Sequence, residues 1–200
     1  MYYKLGIESS SKKWEKYENI SPYLEINDIE LSAKKLLKNP EYFRTEKNLK
    51  YENLKDGKIP PVSSLGSSFI LFSALIENIS TLDNEKKGAN LISIKNRKSE
   101  NEYLILNVVS SVDCVDWDLS EIDRWPPNSE IDEWNNKRGR FFIKPVLVKS
   151  KIPSNLEIFS LSEWGGAFNI VISQDYKDKI EKLNFDSSFL SFTQLPLVCN

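Results

Sequence analysis

Apolar side chains recur along this chain in two rhythms. Tyr3, Leu5 and Ile7 alternate with Lys4 and Gly6, the period of a short opening strand with one buried face. In NDIELSAKKLLKNP the period changes. Ile29, Ala33, Leu36 and Leu37 fall at i, i+4, i+7 and i+8, Asn27 and Glu30 have capping-box spacing, and Pro40 marks a stop, so a helix over 27–40 is expected. Residues 40–66 are polar and turn-rich, with Gly57 and Pro60-Pro61, and read as a long surface loop. A second helix is expected over SSFILFSALIENIS, capped by Ser67 or Ser68, with Phe69, Phe72, Leu75, Ile76 and Ile79 as its apolar stripe. After the turn DNEKKG, the run ANLISIKN reads as a strand, and YLILNVVSSV as a strand buried on both sides. GRFFIKPVLVKS is a further strand whose Pro145 suits an edge or a bulge, and NLEIFSL and FNIVIS follow as short strands. Ser173 opens a third helix, SQDYKDKIEKLNF, with Tyr176, Ile180 and Leu183 on one face and Asp175 and Asp178 near its N-terminal end. SSFLSFTQLPLV closes the chain as an extended segment.

These elements predict an α+β fold, one domain over 1–200 with a mixed or mainly antiparallel sheet and about three helices. Ser68–Asn96 and Ser173–Leu197 share a helix, turn, strand order, expected as two pseudo-repeats; the plainer reading is that such units are common in α+β domains. With 200 residues, 40% hydrophobic and 28% charged, the chain is long enough for one substantial core. A net charge of -2 supplies no whole-molecule field toward nucleic acid or anionic lipid, so an electrostatic partner must meet a local patch. The opening MYYKLGIESSSKKWEK lacks the basic start and apolar core of a signal peptide, and no apolar run approaches the ~20 residues that span a bilayer. A cytoplasmic protein with no membrane partner is therefore expected. Its two cysteines, Cys114 and Cys199, are read as reduced, small buried hydrophobes.

The chain contains no histidine, which removes Ser-His and Cys-His nucleophile pairs, HExxH zinc sites and the usual general base. Its seven glycines fall in neither GxGxxG nor GxxxxGK[ST] spacing, so a phosphate-cradling loop is not expected either. No enzyme activity and no cofactor are predicted.

The densest chemistry lies between Asp113 and Glu133, where eight acids, Asp113, Asp116, Asp118, Glu121, Asp123, Glu130, Asp132 and Glu133, face the single base Arg124. The next eighteen residues reverse the sign, with Lys137, Arg138, Arg140, Lys144, Lys149 and Lys151 and no acid. If the two segments lie on different faces the surface is dipolar; if they adjoin, they pair. As a calcium loop DCVDWDLSEID fails, because Val115 and Leu119 interrupt a segment without glycine. A magnesium site needs two or three converging carboxylates, and a metal-dependent hydrolase would use Asp116, Asp118 and a remote acid. A protein-binding face is the third reading, with Trp117 and Trp125 as aromatic anchors among steering charges. A solvated loop with structural tryptophans is the fourth. The contacts expected on the third reading are Asp116, Trp117, Asp118, Glu121, Asp123 and Trp125.

The order of the pieces YLILNVVSSVDCVDWDLSEI, a basic β segment, KIPSNLEIFSL and IVISQDYKDKIEKLNFDSSFLSFTQL resembles the bacterial immunity protein eleven family over residues 68–198, and more loosely over 1–67. Ser160 stands where that family often has arginine, and Gln194-Leu195 where it commonly has proline. The resemblance implies a cytoplasmic antidote that binds a cognate polymorphic-toxin domain stoichiometrically, with a basic nuclease as a suitable partner. It implies no direct nucleic-acid binding by the antidote. The rival expectations are the metal-dependent hydrolase and a non-enzymatic adaptor domain.

Overall fold

The computed structural model describes residues 1–8, 11–32, 35–36, 49–66, 69–123, 141–162 and 166–199. Strand β1 (Tyr2–Ile7) lies between β15 (Leu190–Leu195) and β14 (Gly166–Ser173); β13 (Ile158–Leu161) and the two-residue β9 (Ser111–Val112) complete a five-stranded sheet in the order β15-β1-β14-β13-β9. A seven-stranded sheet is formed by β2 (Asn19–Ile26), β3 (Ile29–Ser32), β4 (Lys50–Lys55), β5 (Val62–Leu65), β6 (Phe69–Ser73), β7 (Ala89–Asn96) and β8 (Glu102–Val108), ordered β3-β2-β4-β7-β8-β6-β5. This sheet curls until β2 lies against β5 at its far edge. Two ribbons complete the strands, β10 (Glu121–Asp123) with β11 (Phe141–Lys144) and β12 (Leu147–Val148) with β16 (Leu197–Val198). Pairing is antiparallel except at β4·β7, β9·β13 and β12·β16, so the sheets are mixed and mainly antiparallel.

Side-chain alternation divides the apolar residues among three cores. Leu104 and Leu106 of β8 point to a middle core shared with Leu5, Ile158, Ile170 and Ile172 of the five-stranded sheet. Tyr103 and Ile105, on the opposite face of the same strand, fill the hollow of the curled sheet with Leu24, Tyr51, Leu71 and Ile94. Phe159 and Val171 face a third core, closed by Cys114, Val115, Phe142 and Leu147. Continuous apolar runs such as FILF and YLILNV thus mark strands covered on both faces, as expected for β8.

The only helix longer than one turn among the described residues is α2 (Gln174–Glu181), which follows the single turn α1 (Ser11–Trp14) in chain order. Ser173 caps α2 by accepting a hydrogen bond from the Tyr176 N–H, and Tyr176 and Ile180 enter the middle core. The expected helix over 27–40 is corrected in its first part. Asn27 and Asp28 adopt φ of 50° and 62°, the left-handed pair of a two-residue hairpin turn, and Ile29–Ser32 continues as β3. Lys35 and Leu36 are helical, and 33–34 and 37–40 lie outside the described residues. The expected helix over 67–80 is also corrected. Phe69–Ser73 is a strand buried along its whole length, and Leu75, placed on the helical stripe, is 79% exposed. The loop expected over 40–66 contains β4 and β5, and without a helix at 69–73 the paired helix, turn, strand units do not exist. Pro145 separates β11 from β12, consistent with its missing donor.

Glu157 ties α2 to the turn before β7, pairing with Lys87 at 3.2 Å and with Lys179. Burial alone would raise its carboxyl pKa, but the hydrogen bonds and charges of the two lysines hold it below the usual glutamate range. A depressed carboxylate contributes stability that is fully present above the unfolded pKa of about 4.3 and is lost as pH falls through the lower folded value. The variant Glu157→Gln is expected to be less stable at neutral pH and to show a flatter acid limb below about pH 4.3 in urea titrations. An acid limb as steep as wild type would contradict this.

Candidate functional site

The acidic segment leaves the five-stranded sheet at β9 and is fixed at once. Cys114 and Val115 are buried in the third core, the Cys114 carbonyl accepts from the Val148 N–H at 2.7 Å, and the Asp116 N–H donates to the Val146 carbonyl at 2.9 Å. Asp116 then builds a tight turn. Its Oδ1 accepts from the N–H groups of Asp118 and Leu119, both at 3.1 Å, and its carbonyl accepts from the Ser120 N–H at 3.1 Å. Ser120 Oγ in turn accepts from the Val146 N–H at 2.9 Å. The turn therefore sits against the segment between β11 and β12.

The sequence-predicted residues separate into different roles on this frame. Asp116 is half-buried and holds the turn, and Trp117 is half-buried with its ring centroid 5.3 Å from Phe142, inside the third core. Asp118 and Glu121 are exposed, and Asp123 is half-buried on β10. Trp125 lies outside the described residues, as do Arg124, Glu130, Asp132, Glu133, Lys137, Arg138 and Arg140. The two oppositely charged segments adjoin: β10 pairs with β11, and Glu121 and Lys144 form an exposed ion pair at 3.5 Å. Such a pair adds little stability in water, so its charges remain open to exchange with a partner. Asp118 carries no ion pair among the described residues.

Two apolar residues missed in the sequence flank this pair. Leu119 is 60% exposed at the turn and Ile143 is 49% exposed on β11, next to buried Phe142. Ile143 was legible only as the outward member of the alternation Phe142, Ile143. Cys199 is exposed, which corrects the expectation of a buried thiol, whereas Cys114 is buried as expected. Among the described residues no three acids or thiols gather to hold a metal ion.

A second carboxylate, Glu18, is 4% exposed inside the curled sheet. It accepts hydrogen bonds from Tyr103 Oη at 2.8 Å, Asn53 Nδ2 at 3.1 Å, and Tyr51 Oη and Asn101 Nδ2 at 3.4 Å each. Burial, reinforced by the Glu18 charge, pushes both phenols far above their ordinary value, so they stay neutral donors. The backbone beneath is close-packed. A Cβ on Gly57 would meet the Glu18 N and the Tyr17 carbonyl carbon at 2.6 Å. A cleft of about 220 Å³ lies nearby, lined among others by Tyr23, Glu25, Lys50, Tyr51 and Arg97, but Glu18 does not line it. Within it Arg97 and Lys50 both pair with Glu25, at 3.2 and 3.7 Å. Glu18 is thus a packed structural carboxylate, and the acidic turn is the exposed candidate surface.

No protein-family model matches the chain, and a search of curated proteins finds none similar to it. No helix among the described residues is long and apolar enough to cross a membrane.

Proposed function

We propose that this protein is a cytoplasmic immunity protein of the immunity protein eleven type, an antitoxin that binds a cognate bacterial toxin domain and neutralises it stoichiometrically by covering or distorting its active site. The observation that carries the reading is the exposed turn and ribbon in which Asp118 and Glu121 stand beside exposed Leu119 and Ile143. Carboxylates at such a surface steer a basic partner into encounter, and apolar groups between them slow its departure once water is excluded. A nuclease toxin, whose substrate cleft is basic, fits this face. Trp117, packed on Phe142, holds the turn in place for contact rather than serving as the anchor, and Asp116 fixes its backbone, while Asp123 stays a proposed contact on the adjoining β10. Trp125 remains a proposed contact from the sequence. The resemblance of the segment order to that of the immunity protein eleven family is the other support.

Reversing two charges, Asp118→Lys with Glu121→Lys, is expected to slow toxin association by roughly tenfold or more and to abolish protection, with the circular dichroism spectrum unchanged. Surface plasmon resonance at two salt concentrations reads it. Undiminished binding by the folded double variant would place the contact face elsewhere.

A further inference from the structure

Antiparallel pairing fixes which backbone groups of β15 face outward. The Glu8 N–H donates to the Phe189 carbonyl at 2.9 Å, and the register runs from Ile7↔Leu190 to Tyr2↔Leu195 without a break. Hydrogen-bonded pairs alternate along such a ladder, so Ser191, Thr193 and Leu195 bond to β1, while Leu190, Phe192 and Gln194 turn N–H and C=O away from it. The Leu190 N–H donates to the Ser187 carbonyl, and no strand among the described residues pairs with the rest of that outer edge.

Exposed strand edges are ordinarily blunted by charge, proline, bulges or shortness. Among the described residues the other edges of the two large sheets follow this rule. β3 has four residues, carries Glu30 and follows Asp28; β9 has two residues; β5 is covered by β2. β15 breaks it, with six residues, LSFTQL, that contain no charge and no proline. We infer that β15 is a homodimerisation edge, pairing antiparallel with β15 of a second copy about a two-fold axis at Phe192.

This register is self-complementary. Phe192 faces Phe192 of the second copy, Leu190 faces Gln194, and Ser191 faces Thr193, so the outward N–H groups of Phe192 and Gln194 meet outward carbonyls, about four hydrogen bonds in all. No charge is placed against a like charge on the strand. The Lys177 ammonium, 5.2 Å from the Phe192 ring centroid, is already paired with Glu181, so the helix beside the axis brings a neutral couple. A foreign strand could use the same backbone groups, but β15 offers it no charge to recognise, and the match of the strand with itself favours a second copy.

Sedimentation equilibrium of the purified chain over a range of concentrations, with Gln194→Pro and Gln194→Lys beside it, tests the inference. The Gln194 side chain is exposed and its N–H is not used by β1, so proline removes an outward donor without breaking the β1 ladder. Wild type is expected to show a concentration-dependent dimer, and Gln194→Pro to raise its dissociation constant by roughly thirtyfold, two hydrogen bonds per dimer being lost. Gln194→Lys, which keeps the donor, is expected to weaken the dimer by burying charge against Leu190 of the second copy, and covers the case in which the proline variant fails to fold. A wild-type chain that stays monomeric throughout, or that pairs β15 only when a foreign partner is added, would overturn the inference. A dimer unchanged by both variants would overturn it equally.

Discussion

Gly88→Ala is expected to cost more than about 4 kcal/mol, a large share of the about 5–15 kcal/mol that typical domains hold in total. Gly88 closes the turn Glu85–Lys87 with φ of 112°, and a Cβ there would lie 1.8 Å from the Ile158 carbonyl oxygen. Both terms act together, since a side chain is strained at that φ whatever space surrounds it. The obstacle is backbone, and it cannot swing aside. Glu157 donates its N–H to the Lys87 carbonyl at 2.9 Å, and Val109 donates to the Gly88 carbonyl at 2.9 Å, so this turn joins the two sheets across the middle core. Gly6→Ala is the control: its Cβ would meet only Ser191 Oγ at 2.8 Å, a short side chain able to rotate, and about 1 kcal/mol or less is expected. Urea denaturation followed by circular dichroism reads both. A Gly88→Ala variant as stable as the Gly6→Ala control would contradict the close approach of the sheets at this point.

Glu18→Ala is the second large effect, with an expected cost of about 4 kcal/mol. Removing the carboxylate leaves two phenols and two amides without their acceptor inside the curled sheet. Tyr103→Phe alone removes only the shortest of these bonds and is expected to cost about 1.5 kcal/mol. Because the pair shares one network, the two changes should be non-additive in a double-mutant cycle, with a coupling of about 1 kcal/mol or more. Additive losses, or a Glu18→Ala cost under about 1 kcal/mol, would mean that the network contributes little.

Much of the C-terminal half was legible because its signals are local. The Ser173 cap and the spacing of Tyr176 and Ile180 define α2, and the apolar runs of β7, β8, β13 and β14 are long and bounded by turn residues. The N-terminal half misleads for a physical reason. Leu24 and Ile26, then Ile29 and Leu31, alternate about Asn27-Asp28 as a hairpin should, but Ile29, Ala33, Leu36 and Leu37 also fit a helical face, and local pattern alone cannot choose between the two. At Phe69–Ser73 the helical stripe is an accident of a run that is apolar at four successive positions, which a strand with two covered faces demands. The middle core that demands it draws on residues about 100 positions away, among them Ile170 and Ile172.

The candidate surface was legible in its charge and illegible in its packing. Asp118 and Glu121 are exposed as expected, but Trp117 is turned inward by Phe142, which follows it by 25 residues in the chain. Leu119, read as an interruption of the acids, is instead exposed between them. Glu18 gave no signal, since its donors Tyr51, Asn53, Asn101 and Tyr103 come from strands and turns distant in sequence.

The most direct measurement of the proposed function is a titration of the purified protein against the purified toxin domain that the proposal expects a neighbouring gene to encode, following complex formation and toxin activity together. An occluding antidote predicts inhibition that saturates at a fixed stoichiometric ratio, with no further protection beyond it. Full protection at a small fraction of the toxin concentration, or no complex at all, would contradict the account.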